Sequence, residues 1–239
     1  MTAKHALLAC DVFKEELTEF GGETPPWHRI EYLEMGLHDQ PNNLRTEVQA
    51  AIARLEADPN VEVILLAYGL CGNGLLGIRA ERCPLILPRA HDCVSILLGG
   101  MEPHSALLKE NPGTYFYSPG WVRGKRVPGP DREAHLRKVY DARYPDDEDM
   151  VDDLVEADAY GFAHHNCAAY VDLTENAEAE SYCKDCAKHL GWQFKRLKGD
   201  SSMLLNLIKG NWPADRYLTI PPGHEVALEG QSNLISKPS

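Results

Sequence analysis

Two short apolar runs constrain this chain more than anything else in it. They lie in the stretch ILLAYGLCGNGLLGIRAERCPLILPRAHDCVSILLGG, Ile64 to Gly99. The first, Val63 to Ala67, ends abruptly in Tyr68-Gly69-Leu70-Cys71-Gly72-Asn73-Gly74. The second, Leu85 to Leu87, ends in Pro88-Arg89-Ala90-His91-Asp92-Cys93. Runs this short, apolar throughout and bounded by Gly or Pro, resemble strands buried in a parallel sheet. Open α/β sheets bind ligands beyond the carboxyl ends of their strands. Both strand ends here carry a cysteine, so the pattern predicts a site together with a sheet.

The rest of the chain extends this alternation. His5 to Cys10 reads as a strand, and 12–20 as a helix with Phe13, Leu17 and Phe20 on one face. Arg29 to Leu37 reads as a second strand, ending at His38-Asp39. Over Pro41 to Ala57, the residues Leu44, Val48, Ala51, Ile52 and Leu55 recur at helical spacing, and Pro41 is tolerated in the first turn. Further on, 114–118, 167–173, 193–197 and 217–220 read as strands, and 176–190 and 202–208 as helices. The charged stretch between Val122 and Ala159 predicts two amphipathic helices, 131–143 and 147–158. Its acidic run Asp146 to Asp149 suits a solvated helix N-terminus better than a cation site. The tail from Gly230 has no periodicity and reads as frayed. Right-handed crossovers would make the sheet parallel, with helices on both faces and room for two Rossmann-like lobes. The expected division is an N-terminal α/β lobe over 1–121, an acidic helical insertion over 122–159 and a C-terminal α/β lobe over 160–239.

Charge and composition narrow the function classes. A net charge of -12 makes a phosphate backbone a poor partner. The densest basic cluster, Arg123 to Arg126, reads as a solvated loop. No basic segment followed by a long apolar stretch opens the chain, and no run is long enough to cross a bilayer, so a cytoplasmic protein is expected. The cysteines stand at 10, 71, 83, 93, 167, 183 and 186, an odd number, which argues against a disulfide framework.

Cys10, His38, Cys71, His91 and Cys93 all fall at or just after predicted strand ends. A parallel sheet would gather them on one edge. Thiolates and imidazoles suit zinc or iron, and three protein ligands with an open fourth position are the catalytic arrangement of zinc. Cys10, His38, Cys71 and Cys93 are the expected metal ligands. The glycines around Cys71 permit positive φ and close backbone approach. Gly69, Gly72, Asn73 and Gly74 could hold a carboxylate or phosphate by their N–H groups, at the start of a helix that would also favour the Cys71 thiolate. The pattern G-x-x-G-x-G is neither the dinucleotide fingerprint nor a Walker loop. Arg89 could clamp the anion, and Cys71, His91 and Asp92 could supply nucleophile, acid and base. Asp92 serves equally well as a helix N-cap. Cys183-Lys184-Asp185-Cys186 lies in a predicted helix and reads as surface thiols. His164 and His165 precede a strand, at the edge opposite the site.

The motifs YGLCGNG, PRAHDC followed by SILLGG, YFYSPGW, LHDQPNNLR, LLNLIKGNW and IPPG resemble the DUF1638 family over most of the chain. That resemblance implies an association with corrinoid-dependent methyl transfer, and so a corrinoid protein or methyltransferase as partner. The leading expectation is a metal-thiolate α/β protein, zinc-like, that acts on or holds a small molecule. Two alternatives stand beside it: a metal-free cysteine enzyme of racemase-like architecture, and a non-catalytic carrier of a small anion or metal. A homodimer is compatible with all three.

Overall fold

The computed structural model describes residues 4–125, 127–230 and 233–238. Arg126 of the basic cluster, and residues 231 and 232 of the tail, lie outside them. The chain forms two compact units, Met1–His104 with Gly199–Ser239, and Ser105–Lys198. The segment after Gly199 therefore belongs with the first lobe, and the acidic helices lie within the second unit. Sequence alternation alone did not reveal that the chain leaves one unit and returns to it.

The first unit opens with β1 (His5–Cys10), a 3-10 turn (Asp11–Phe13) and α1 (Lys14–Gly21). Then come β2 (Arg29–Leu33), a second 3-10 turn (Leu37–Asp39), α2 (Pro41–Glu56), β3 (Val63–Ala67), β4 (Leu85–Pro88) and α3 (Cys93–Leu97). The second strand is shorter than expected, so His38 lies beyond it, on the 3-10 turn. The chain leaves this unit within α4 (Met101–Glu110). The second unit carries β5 (Thr114–Tyr117), α5 (Pro119–Arg123), α6 (Arg132–Arg143), α7 (Glu148–Gly161), β6 (Cys167–Asp172), α8 (Ala177–Leu190) and β7 (Gln193–Lys198). The returning chain adds α9 (Ser202–Lys209), β8 (Tyr217–Ile220), β9 (His224–Glu229) and β10 (Asn233–Pro238).

The main sheet has the order β2-β1-β3-β4-β8. The first four strands are mutually parallel, as the alternation predicted. β8 is antiparallel to β4, which makes the sheet mixed. An apolar tetrapeptide such as Tyr217–Ile220 carries no signal of direction, so this was not readable. The tail corrects the expectation of fraying: β10 pairs antiparallel with β9, and Leu234 and Val226 are buried.

Core burial follows the two apolar runs and their partner. Leu7, Leu8, Leu65, Leu66 and Leu85 are fully buried. Each such side chain contributes about 1.5–3 kcal/mol. The helical stripe of α2 is buried over the residues its spacing named, Leu44, Val48, Ala51, Ile52 and Leu55.

The second unit has a parallel sheet of order β5-β6-β7. Its core gathers Tyr117, Tyr170, Ala168, Ala187, Cys183 and Cys186. Both cysteines of the CKDC pair are therefore core residues, which corrects the expectation of surface thiols. Their i, i+3 spacing puts both on the buried face of α8. Asp147 caps α7 by accepting from the Met150 N–H at 3.1 Å, the helix-start role expected for the acidic run. Arg132 of α6 holds Asp158 of α7 bidentately, both contacts at 2.6 Å. His165 packs against Tyr115 and Trp192 in this unit. Among the described residues, no helix is long and apolar enough to cross a membrane.

Candidate thiol site at the carboxyl ends of the main sheet

β1, β3 and β4 are adjacent, so the segments that follow them emerge side by side. The register Ala9↔Ala67 brings Cys10 level with Tyr68. Past the strands, pairing continues irregularly: Leu70 N–H donates to the Ala90 carbonyl and Cys71 N–H to the His91 carbonyl, each at 2.8 Å. Gly69 is required at this crossing. A Cβ there would lie 2.6 Å from the backbone N, Cα and C of Asp92. Backbone cannot give way as a flexible side chain can, so the absence of a side chain at Gly69 is what lets the two loops touch.

Three thiols meet where these loops converge. The Cys93 thiol lies close enough to those of Cys10 and Cys71 to interact with both. These contacts, Cys10 first, and then burial push the Cys93 thiol well above the usual range. Cys10 and Cys93 are buried, while Cys71 is half-buried and supplies the accessible face of the cluster. Tyr68 stands among the same thiols and Asp11. Burial, followed by the charges of Cys10, Cys93, Cys71 and Asp11, raises its phenol well above 10. Its hydroxyl is buried and finds no hydrogen-bond partner. A buried polar group left unpaired costs about 1–3 kcal/mol.

Cys71 pays a conformational cost as well. Cys71, Gly72 and Asn73 have φ of 47°, 64° and 69° in succession. The turn closes through Gly74 N–H to the Cys71 carbonyl at 3.2 Å. Asn and Gly tolerate this region, whereas a left-handed cysteine costs roughly 1–2 kcal/mol. No helix follows: residues 71–77 are a run of turns. This corrects the expected helix start beyond Cys71, and the reason is the left-handed series itself, which right-handed helical backbone cannot continue.

α2 holds that turn. Arg45 donates from Nε to the Leu76 carbonyl at 2.6 Å, and from its terminal nitrogens to the Asn73 carbonyl at 3.2 Å and Asn42 Oδ1 at 3.1 Å. Leu44 packs against Gly74, where a Cβ would lie 2.6 Å from its Cδ2. Pro41 lies against Gly72, 3.5 Å from where a Cβ would stand. The segment LHDQPNNLR thus acts on the site through the Cys71 turn. Arg45 and Tyr68 carry roles that residue-type reasoning did not assign. Their only sequence signals were an arginine on the otherwise apolar side of α2 and a tyrosine directly ending a buried strand.

The remaining candidates are placed as follows. Asp92 caps α3: its Oδ1 accepts from the Ser95 N–H at 2.7 Å and the Ser95 hydroxyl at 2.8 Å. His104 Nδ1 contacts the Ser95 hydroxyl at 3.1 Å and Asp92 Oδ2 at 3.4 Å. His91 is exposed, and its backbone N–H donates to the Met101 sulfur at 3.2 Å. Arg89 donates Nε to the Ala214 carbonyl at 2.8 Å and another nitrogen to the Leu234 carbonyl, so it straps the returning chain to β4. His38 pairs with Asp39 at 3.3 Å near the surface. The thiol cluster assembles without it. Among the described residues, no group of three or more His, Cys, Asp or Glu side chains could hold a metal ion as it stands, the three thiols included.

The molecule is thus an α/β protein with three thiols gathered at adjacent carboxyl ends of its main sheet. The chain belongs to a family described as "Protein of unknown function (DUF1638)", whose model matches residues 32–208. Cys71 and Cys93 fall within the match, and Cys10 precedes it. No curated protein and no solved structure matches the chain.

Proposed function

We propose that this protein binds a soft metal ion, zinc before iron, through Cys10, Cys71 and Cys93, and uses the site to hold a small molecule. The observation that supports this most directly is the convergence of three thiols from three adjacent strand ends, joined through Cys93. The residue types would suit such an ion, since thiolates select zinc and iron and three of them would leave one position open. Holding an ion requires the thiols to turn toward a common point, and Cys71, on its own turn at the accessible side, is the one placed to move. His38 would be an alternative fourth ligand. When bound, zinc would stabilise a thiolate as a methyl acceptor, the chemistry that a corrinoid- or thiol-dependent methyl transfer needs. On this reading the partner is a corrinoid protein or methyltransferase, the two units are Rossmann-like lobes, and the compartment is the reducing cytoplasm.

Elemental analysis of the purified full chain tests the reading. Wild type should carry about one equivalent of metal after zinc reconstitution, and Cys93→Ser should lose it. A wild type that retains none overturns it. The strained, half-buried Cys71 would then favour the second reading, a metal-free nucleophile.

A further inference from the structure

The second unit holds a cavity of about 370 Å³. Small-molecule sites typically measure about 300–1,000 Å³. Two segments wall it, each following a strand. Pro119, Val122 and Lys125 follow β5, and Asn176, Ala179 and Tyr182 follow β6. These strands are parallel neighbours, and α5 packs against α8. The cavity thus lies beyond two adjacent carboxyl ends, where α/β sheets take their ligands. The main chain is strained at both margins: Lys125 and Glu175, the residue before Asn176, each have φ of 53°. A non-glycine residue in that region costs roughly 1–2 kcal/mol, and such strain gathers at ligand sites.

Charge decides what fits. The floor is apolar: Pro119 and Ala179 are buried, Val122 and Tyr182 half-buried. Two exposed cations, Arg123 and Lys125, and two exposed acids, Asp131 and Glu178, line the cavity with them. The signs are segregated. The cations stand at and just after the end of α5, Glu178 in the first turn of α8 and Asp131 just before α6. Asp131 accepts from the Tyr182 hydroxyl at 3.1 Å. Among the described residues, neither Lys125 nor Glu178 makes an ion pair or a side-chain hydrogen bond. A ligand bearing charge of one sign would be repelled by one pair while the other attracts it. A zwitterion is attracted by both, and an apolar skeleton between its charges covers the floor.

We propose that this cavity binds a small zwitterion with an apolar skeleton, of the class of the apolar amino acids. Its carboxylate faces Arg123 and Lys125, its ammonium faces Glu178 and Asp131, and its carbon skeleton lies on Pro119, Ala179 and Tyr182. No cysteine and no metal take part.

The test is isothermal titration of the metal-free full chain at low salt. The probes are leucine, phenylalanine and 6-aminohexanoate, which span short and long charge separations. Each is run beside the analogue that lacks its amine and the analogue that lacks its carboxylate. At least one amino acid should bind with a Kd of about 1 mM or lower, and both of its analogues about fivefold more weakly or worse. Lys125→Gln and Glu178→Gln should each weaken that amino acid about threefold to fivefold. Glu178→Gln should instead strengthen the amine-free acid, and Lys125→Gln the carboxylate-free amine, because each removes a repulsion. Both side chains are exposed, so the variants should melt with wild type. No saturable binding of any of the three amino acids at about ten times that Kd overturns the proposal. So does an analogue that binds as tightly as its amino acid, or an affinity that neither substitution changes.

Discussion

The molecule contains two clusters of thiols, and they differ in backbone, setting and exposure. Cys10, Cys71 and Cys93 meet at the ends of three strands, beside an unpaired hydroxyl and on a left-handed turn. Cys183 and Cys186 lie one helical turn apart on α8, packed against Tyr117 and Tyr170. The first arrangement costs conformational and polar free energy that packing alone does not explain. The second costs little: two small apolar side chains fill a core. Two cysteines packed together in a core, as on α8, are thus weak evidence of a site. Backbone strain and an orphaned polar atom beside the cysteines are the better signals.

The largest expected contrast between the clusters is chemical reactivity. Cys71 is half-buried, whereas Cys183 and Cys186 are 0% exposed and react only when the second unit opens. Alkylation of the metal-free protein with iodoacetamide, read by mass spectrometry, should modify Cys71 at least about a hundredfold faster than either. Cys83 should also be slow: it is buried just before β4, with its thiol 3.3 Å from the Val61 carbonyl. Zn²⁺ should protect Cys71. Comparable rates at Cys71 and Cys183 would erase the distinction between the clusters.

Backbone crowding gives the next largest effect. Gly69→Ala forces a methyl group against the Asp92 backbone. It should cost about 3 kcal/mol or more in urea unfolding, and reduce metal uptake in whatever protein remains folded. Gly129 is the counterpart in the other unit, where a Cβ would collide with the Cys186 sulfur. Gly129→Ala should destabilise the chain with metal uptake intact. Because the obstacle there is a side chain, Cys186→Ala should recover part of the loss in the double variant. No such rescue exists for Gly69. Recovery of Gly69→Ala by any side-chain truncation at Asp92 would break the comparison.

Serine substitutions sharpen the comparison further. Cys93→Ser should abolish metal uptake. Cys183→Ser with Cys186→Ser should leave uptake unchanged while lowering stability by about 1–3 kcal/mol per site, the cost of burying a hydroxyl with no ready partner. The pair is therefore dispensable for the site but not for the core. Loss of metal in the double serine variant would mean that the two clusters are coupled.

Much of the first cluster was legible in the sequence. Apolar runs closed by Gly and Cys named the strands, and parallel order follows from crossover handedness, which brought Cys10, Cys71 and Cys93 to one edge. His38 was misplaced because the periodicity of Arg29 to Leu37 outlasts the strand, which stops at Leu33. The helix expected after Cys71 failed because glycine-rich sequence permits either hand of turn, and only the fold selects one. Arg89 was read from its charge, yet carbonyls of a segment more than a hundred residues away occupy it. Such long-range partners leave no local pattern. The exposed-thiol reading of Cys183 and Cys186 failed for a related reason: charged neighbours at Lys184 and Asp185 describe the other side of the helix.

The smallest expected effect is the pH dependence of the second cluster. Burial pushes Cys186 up to about 11 and Cys183 higher still. In the unfolded chain both thiols ionise near their ordinary value of about 8.5. The unfolded state therefore releases protons first as pH rises, while the native state keeps them. Stability from these thiols is complete below about pH 8.5 and is lost as pH climbs toward and through the folded values. The slope is bounded by about 1.4 kcal/mol per pH unit for each thiol. Urea midpoints of the metal-free full chain measured between pH 7 and pH 10 should fall. Cys183→Ala with Cys186→Ala should fall less steeply, although Cys83, Cys93 and Cys167, whose thiols are also raised in the folded protein, keep part of the fall. Identical slopes in the two proteins would show that the α8 thiols are not held protonated in the core.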